Sequence, residues 1–317
     1  MSGATRILFA AKPETRDAYR AHLPAALAEA EVAARIVAPE DDFDPAGIDW
    51  IVYGPSPAAA LSDFAPYVNL KGCLSLWAGV EGIEGNRTLT APLARMVDQG
   101  LTQGMVEWVT GHVLRHHLGM DAHIVNPDRR WTPGAPPLAH DRSVAVLGLG
   151  VLGTAAARAL SGVGFDVTGW SRSAKDIDGV RALHGADGLE IAIRAAEIVV
   201  LLLPHTRSTE ELMNADRFAL MRPGAVLINP GRGALVEEDA LLDALEGGLG
   251  HATLDTFRTE PLPRDHPFWA HPKVTVTPHI ASATRPASAA RVIAENVRRG
   301  EAGLPLLHLV DRSEALA

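Results

Sequence analysis

Short apolar runs alternate with helical patterns over the first hundred residues. Ile7–Ala11, Ala34–Val37, Trp50–Tyr53 and Cys73–Trp77 have the length and composition of buried strands. Between the first two, Thr15–Ala30 carries a helical pattern. Strands alternating with helices predict a parallel sheet, because a parallel neighbour is reached only by a crossover. Thr102–Leu118 predicts a long helix, with Met105, Val109 and Val113 at four-residue spacing and Val106 and Trp108 beside them. The polar stretch Asn126–Arg142 follows, with Pro127, Pro133, Pro136 and Pro137, and reads as a surface excursion. From Ser143 the alternation becomes regular. Ser143–Leu147, Asp166–Trp170, Ile198–Leu203, Ala225–Asn229, Ala252–Asp255 and Val274–Thr277 are strand candidates with helical segments between most of them. Six strands at this spacing are what a doubly wound dinucleotide domain requires. Pro286–Arg299 reads as a closing helix, and no short-period repeat or low-complexity tract interrupts the pattern.

Composition narrows the function classes. A chain of 317 residues, 47% hydrophobic and 21% charged, has room for two globular domains. Its 38 acidic against 29 basic residues give a net charge of -9. That balance argues against a nucleic-acid partner or an anionic membrane surface, both of which need a basic face. The single cysteine, Cys73, excludes an intrachain disulfide and fits a reducing compartment. The opening MSGATRILFAAKPETRD lacks the apolar core of a signal peptide. The longest apolar stretch, Ile198–Pro204, falls far short of the roughly 18 residues of a spanning helix. The cytoplasm is the expected location. The histidines are scattered without metal-ligand spacing, so no metal site is expected.

The segment from Val144 to Gly153 is a strand followed by Gly148-x-Gly150-x-x-Gly153, and a helical pattern, Thr154–Val163, comes next. In such a loop the first glycine permits a tight turn and the second lets the backbone approach a pyrophosphate. The third lets the helix pack on the strand, with the helix N-terminus facing the phosphates. Alone the motif is weak; with a strand before, a helix after and five further strands it predicts a dinucleotide site. The second strand of this half ends in Gly169-Trp170-Ser171-Arg172-Ser173, with Lys175 close behind. NAD enzymes usually place an acidic residue here to grip the ribose 2′-hydroxyl. Hydroxyls and cations suit a 2′-phosphate instead, which points to NADP(H).

Three further segments follow strand ends. Asn229-Pro230-Gly231-Arg232-Gly233 follows the fourth strand, Asp255 to Pro263 the fifth, and Pro278-His279-Ile280-Ala281 the sixth. Each of Arg232, Glu260 and His279 alone is an ordinary surface or structural residue. On successive strand ends of a dinucleotide domain they would converge, because ligands bind outside the carboxyl ends of such strands. Reducing a 2-keto acid needs a hydride, a proton and a grip on the carboxylate. A nicotinamide supplies the first. Histidine can donate a proton near neutral pH, a neighbouring carboxylate orients the imidazole and favours its charged form, and guanidinium binds carboxylate in a bidentate fork.

On these residues the chain resembles the D-isomer-specific 2-hydroxyacid dehydrogenase family, and within it the glyoxylate/hydroxypyruvate reductase branch. The resemblance runs from Val52 to Leu316, and its most telling segments are GLGVLGTAAARAL, WSRSAK, LLLPHT, INPGRGALVEEDALLDAL, LDTFRTEPLP and TPHIASATRP. It implies two Rossmann-like α/β domains with doubly wound parallel sheets and a cleft between them. The outer, substrate domain would be discontinuous, residues 1–99 and 284–317, around a dinucleotide-binding domain at residues 100–283. It implies that Arg232 binds substrate, that His279 is the acid/base and that Glu260 is its partner. Asp255 would lie near the nicotinamide. The cofactor would be lined by Gly148, Gly150, Leu152, Gly153, Ser171, Arg172, Ser173, Lys175, Leu203, Pro204, Pro230, Gly231, Arg232, Asp255, His279 and Ala281. Trp77-Ala78-Gly79-Val80 resembles the family's carboxylate-binding loop, with backbone amides as donors. Tyr53 stands where the branch often has an aromatic facing substrate, and equally fits a core aromatic. Arg285 would contact substrate or cap a helix. The long helix would help to build a homodimer. Two departures stand out: Pro-Gly precedes Arg232 where a small residue is usual, so the peptide near the nicotinamide is open to a shift, and Glu81 replaces a commoner aspartate. The expected reaction is reduction of glyoxylate or hydroxypyruvate by NADPH. The alternatives are a bulkier 2-keto acid, or a redox sensor that binds NADP(H) without turnover.

Overall fold

The computed structural model describes residues 4–54 and 61–316. The chain divides into two compact units, Met1–Leu101 with Ala283–Ala317, and Thr102–Ser282.

The first unit begins with β1 (Thr5–Ala10), α1 (Pro13–Tyr19), α2 (His22–Glu29), β2 (Ala34–Val37), β3 (Trp50–Tyr53), β4 (Gly72–Ser75) and β5 (Leu93–Ala94). All pair in parallel in the order β2-β1-β3-β4-β5, one of the common doubly wound arrangements. The helix expected over residues 15–30 is two helices. Pro24 has no N–H for the Arg20 carbonyl, so an unbroken helix through it would lose a bond and clash; in the first turn of α2 that N–H is not needed. The two-residue β5 was not visible in the pattern, being too short to show a period.

The second unit contains α3 (Gln99–His117), which starts just ahead of it, then α4 (Asp121–Ile124), β6 (Ser143–Leu147), α5 (Val151–Val163), β7 (Asp166–Ser171), β8 (Arg181–His184) and α6 (Gly185–Ala195). It continues with β9 (Ile198–Leu201), α7 (Ala215–Phe218), β10 (Val226–Asn229), α8 (Glu238–Glu246), β11 (His251–Leu254) and β12 (Val274–Val276). The seven strands run parallel in the order β12-β11-β10-β9-β6-β7-β8. Six of them are the predicted set. The seventh, β8, is a half-exposed edge strand whose residues carry no run of buried positions. Register brings the strand ends level. Leu147 lies opposite Trp170 and Leu201, Asn229 opposite Leu254, and Leu254 opposite Val276. The segments that follow β6, β9, β10, β11 and β12 therefore leave the sheet on one edge. Buried Val146, Val200 and Ile228 face α3 and α5 on one side, while Leu147, Leu201 and Leu227 face α6 and α8 on the other.

The chain then re-enters the first unit as α9 (Pro286–Glu301), which packs on α2 and buries Ala289, Ala290, Ile293, Ala294 and Val297. Its C-terminal turn is tied down by the Trp50 indole, which donates to Glu301 Oε1 at 2.8 Å.

Candidate active site

His279 follows β12 in the left-handed region, at φ +54°. Only a specific set of bonds holds a non-glycine residue there. Asp255, one residue past β11 and fully buried, supplies them. Its Oδ1 accepts from the Thr277 hydroxyl at 2.6 Å and from the Ile280 amide at 2.9 Å, and its Oδ2 from the Ala281 amide at 2.8 Å. Its carbonyl accepts from the His279 amide at 2.9 Å. The whole 277–281 turn is thus wrapped round one carboxylate. The imidazole, half exposed, donates from Nδ1 to Glu260 Oε2 at 2.7 Å. Glu260 Oε1 accepts from the Phe257 amide at 2.9 Å. With Nδ1 and both Glu260 oxygens engaged, Nε2 is the atom left to deliver a proton.

Arg232 sits half-buried on the turn after β10. Buried Asn229 shapes that turn. Its Oδ1 accepts from the Gly231 amide at 3.1 Å and its Nδ2 donates to the Arg232 carbonyl at 2.9 Å. The unusual Pro230-Gly231 pair is accommodated as a buried segment of this turn. The turn lies hard against the Glu260 segment: a Cβ on Gly233 would fall 1.9 Å from the Phe257 carbonyl carbon. Arg232, Glu260 and His279 are therefore carried by loops that leave one edge of one sheet, with the last two in direct contact.

At the end of β6, Gly148 has φ +111°, and a Cβ on Gly153 would stand 1.7 Å from the Gly148 carbonyl oxygen. The fold itself requires both glycines. A Cβ on Gly150 would meet no protein atom within 4 Å, so the backbone there is open to close approach by a ligand. Gly150 is the N-cap of α5, with Leu152 in the first turn, and no side chain caps the helix amides. These are the groups that would hold a pyrophosphate. Leu203 and Pro204 follow β9, and the Pro204 carbonyl accepts from Thr209 Oγ1 at 2.7 Å. At the end of β7, Ser171 is buried and its hydroxyl donates to the Ser173 carbonyl at 2.7 Å. Arg172, Ser173 and Lys175 are exposed.

In the first unit, Trp77 is exposed, Ala78 and Gly79 are half-buried and Val80 is buried. The loop is shaped by Ser75, whose Oγ accepts from the Trp77 amide at 3.1 Å. Tyr53 is a core residue of this unit, tilted against Phe64 with ring centroids 6.3 Å apart, and burial pushes its phenol above the ordinary value. Arg285 is exposed at the N-cap of α9 and makes no side-chain cap. Sequence reasoning missed the bracing role of Asp255 and the parts played by Asn229, Thr277 and Gly233. Their one signal is position, immediately beyond a strand end.

Residues 112–281, more than half of the chain, match the model of the D-isomer specific 2-hydroxyacid dehydrogenase NAD binding domain. The chain belongs to this family. A glyoxylate/hydroxypyruvate reductase A from Serratia proteamaculans (strain 568) is 42% identical over 251 residues, covering 76% of this chain and 80% of the relative. One from Yersinia enterocolitica is 40% identical over 257 residues, covering 78% and 82%. Among solved structures, a D-isomer specific 2-hydroxyacid dehydrogenase from Xanthobacter autotrophicus Py2 in complex with NADPH and MES superposes with TM-score 0.90 at 38% identity, covering 99% of this chain and all of the other. An NADPH-dependent glyoxylate/hydroxypyruvate reductase from Sinorhizobium meliloti in complex with NADP and sulfate gives 0.86 at 34% identity, covering 98% and 99%. This dehydrogenase therefore falls in the glyoxylate/hydroxypyruvate reductase branch, as its motifs implied. Among the described residues no cluster of three or more His, Cys, Asp or Glu side chains is arranged for a metal, and no helix is long and apolar enough to cross a membrane.

Proposed function

We propose that this dehydrogenase reduces glyoxylate or hydroxypyruvate with NADPH, giving glycolate or D-glycerate. The observation that carries the reading is His279 Nδ1 bonded to Glu260 at 2.7 Å on a turn wrapped round Asp255. It gives an imidazole of fixed orientation whose Nε2 is directed away from its carboxylate partner. NADPH, once bound, supplies the hydride to the carbonyl carbon. His279 Nε2 delivers a proton to the carbonyl oxygen, and the Glu260 carboxylate stabilises the imidazolium before transfer. The Arg232 guanidinium grips the substrate carboxylate. The amides of Gly79 and Val80, with Trp77 and Ala78 in the same loop, are carboxylate donors of the first unit, and Arg285 is a further substrate cation. Residues 100–283 act as the dinucleotide domain and the flanking segments as the substrate domain. The α5 N-terminus takes the pyrophosphate, and Arg172, Ser173 and Lys175 take the 2′-phosphate.

The working form is a homodimer in the cytoplasm. Supporting the dimer, the stretch after α3 exposes Ile124, Val125, Leu138 and Trp131, the last 93% accessible, which is a large apolar commitment for a free surface. Light scattering at catalytic concentration reads the assembly directly. The activity is tested with a panel of 2-keto acids of increasing side-chain size, using NADPH and NADH, followed by cofactor absorbance. Highest kcat/KM is expected for the two small acids with NADPH. A bulkier acid as best substrate would replace the proposed substrate class, and NADP(H) binding without turnover on any acid would make the protein a sensor.

A further inference from the structure

The catalytic loop carries an ionic network that the reaction just described leaves unused. Arg258 lies between Phe257, whose amide binds Glu260 Oε1, and Glu260 itself. Its guanidinium does not point along that loop. It reaches to the loop after β9, donating from Nη1 to Glu210 Oε1 at 2.6 Å and from Nη2 to Glu211 Oε1 at 3.1 Å. Glu210 Oε2 is bonded in turn to His205 Nε2. Arg258 and His205 hold the Glu210 carboxyl below the usual carboxylate range.

The anchor is itself fixed. Glu211 has a left-handed backbone, φ +48°, and its amide donates to the Ala234 carbonyl at 2.8 Å. The Met213 amide donates to the Leu235 carbonyl at 2.8 Å. The loop after β9 is thereby tied to the turn that carries Arg232. That turn meets the backbone of Phe257 and Arg258 at Gly233, where a Cβ would lie 2.3 Å from the Arg258 amide nitrogen. Three loops from three adjacent strands form a closed circuit, and Arg258 supplies its charged link.

We propose that Arg258 is a positioning residue for the Glu260–His279 pair, holding the Phe257–Glu260 turn on Glu210 and Glu211 so that the carboxylate meets the imidazole. The proposal rests on His279 as acid and Glu260 as its partner. The three charged side chains are between a third and a half exposed. Pairs of that kind contribute little to global stability. The effect falls on geometry, where a small displacement of a catalytic group lowers the rate.

The test is a cycle of kcat, KM and thermal melting for Arg258→Met and Arg258→Lys, each made in the wild type and in Glu260→Gln. Arg258→Met keeps an unbranched stem without the guanidinium and is expected to lower kcat about threefold to tenfold with an unchanged melting point and NADPH KM. Arg258→Lys, which retains one charged anchor, should recover most of the loss. In the Glu260→Gln background the Met substitution should cost nothing further. A wild-type kcat for Arg258→Met, or an equal loss in both backgrounds, overturns the proposal while leaving the pair intact. Wild-type kcat for Glu260→Gln itself brings down the pair, and the proposal with it.

Discussion

The two ends of the dinucleotide unit are built on different principles. Beyond β11 and β12, the carboxylates of the Glu260 and His279 turns are bonded from within, although the buried Thr256 hydroxyl has no partner among the described residues. Asp255 is fully buried with both oxygens occupied, both Glu260 oxygens are engaged, and the His279 backbone is held in a left-handed conformation. Beyond β7, residues 172–176 are all exposed, and Ser171 turns its hydroxyl back onto the Ser173 carbonyl. One end is organised by the protein's own bonds; the other presents Arg172, Ser173 and Lys175 at the surface. In the proposed reaction the first end must hold a proton donor at the carbonyl oxygen while hydride reaches the carbon beside it, and that demands precise geometry. In the same proposal the second end needs only charge of the right sign near the 2′-phosphate. Changes at the first should cost rate, and at the second selectivity.

The comparison breaks most visibly at Asp255. Asp255→Asn places an amide NH2 against a backbone N–H that the carboxylate oxygen formerly received. A buried group left without its partner costs about 1–3 kcal/mol, and three bonds to a charge are at stake. The expected result is a loss of kcat of about 10²-fold or more together with a clearly lower melting temperature. A turnover within about threefold of wild type would show that the turn holds itself without the carboxylate.

A smaller and more selective effect is expected at the other end. Arg172→Ala should lower kcat/KM with NADPH about tenfold, since one hydrogen bond to a charged group contributes roughly 1.5–3 kcal/mol. NADH kinetics and thermal stability should barely change. Because Ser171 donates internally, Ser171→Ala is expected to affect the NADPH preference less than Arg172→Ala. Equal efficiency of the two cofactors in the wild type would show that the loop does not read the phosphate.

The least effect on catalysis, and a purely thermodynamic one, comes from histidines behind the sheet. The rings of His116 and His251 lie tilted against each other with centroids 5.0 Å apart, bonded to Thr253 and Thr275 at 2.9 and 2.8 Å. Burial, then mutual repulsion with His251 and Arg115, pushes His116 down to about 3, against a partly opposing Asp121. Burial and Arg115 push His251 down to about 4. Both values lie below the unfolded one, so the unfolded chain takes up protons first. The stability these neutral rings contribute is complete above about pH 6.5 and is lost as pH falls toward 4 and then 3. Denaturant midpoints should fall steadily over that range, and less so in His116→Gln, which keeps a partner for Thr253. A flat midpoint from neutrality to pH 4 would contradict the burial argument.

Much of the second unit was legible from its pattern, because strands buried on both faces read as continuous apolar runs and the glycine loop announces its own turn. The placing of Arg232, Glu260 and His279 on loops at one edge of the sheet was legible for a related reason: each follows a strand whose end the pattern locates. What was hidden depends on contacts distant in sequence. A carboxylate one residue past a strand, like Asp255, fits a ligand contact as well as a brace, and only the return of Thr277–Ala281 decides where its oxygens go. Arg258 finds its partners 47 and 48 residues away, across a loop closure that no local period encodes. Tyr53 was balanced between core and site, and within its unit burial against Phe64 places it in the core. The edge strand β8 and the split of the first helix at Pro24 escaped because edge burial and a single missing N–H leave little trace in hydropathy.

The central claim is that His279 supplies the proton, held ready by the pre-built end of the unit. It is tested most directly by single-turnover mixing of NADPH-loaded protein with glyoxylate, in the wild type and in His279→Ala, with NADPH affinity measured separately by fluorescence. General acid catalysis typically contributes about 10²–10⁴-fold, so the variant should oxidise bound NADPH slower by that factor while binding it as tightly as the wild type. Single-turnover rates within about threefold of each other, at equal NADPH affinity, would contradict the account.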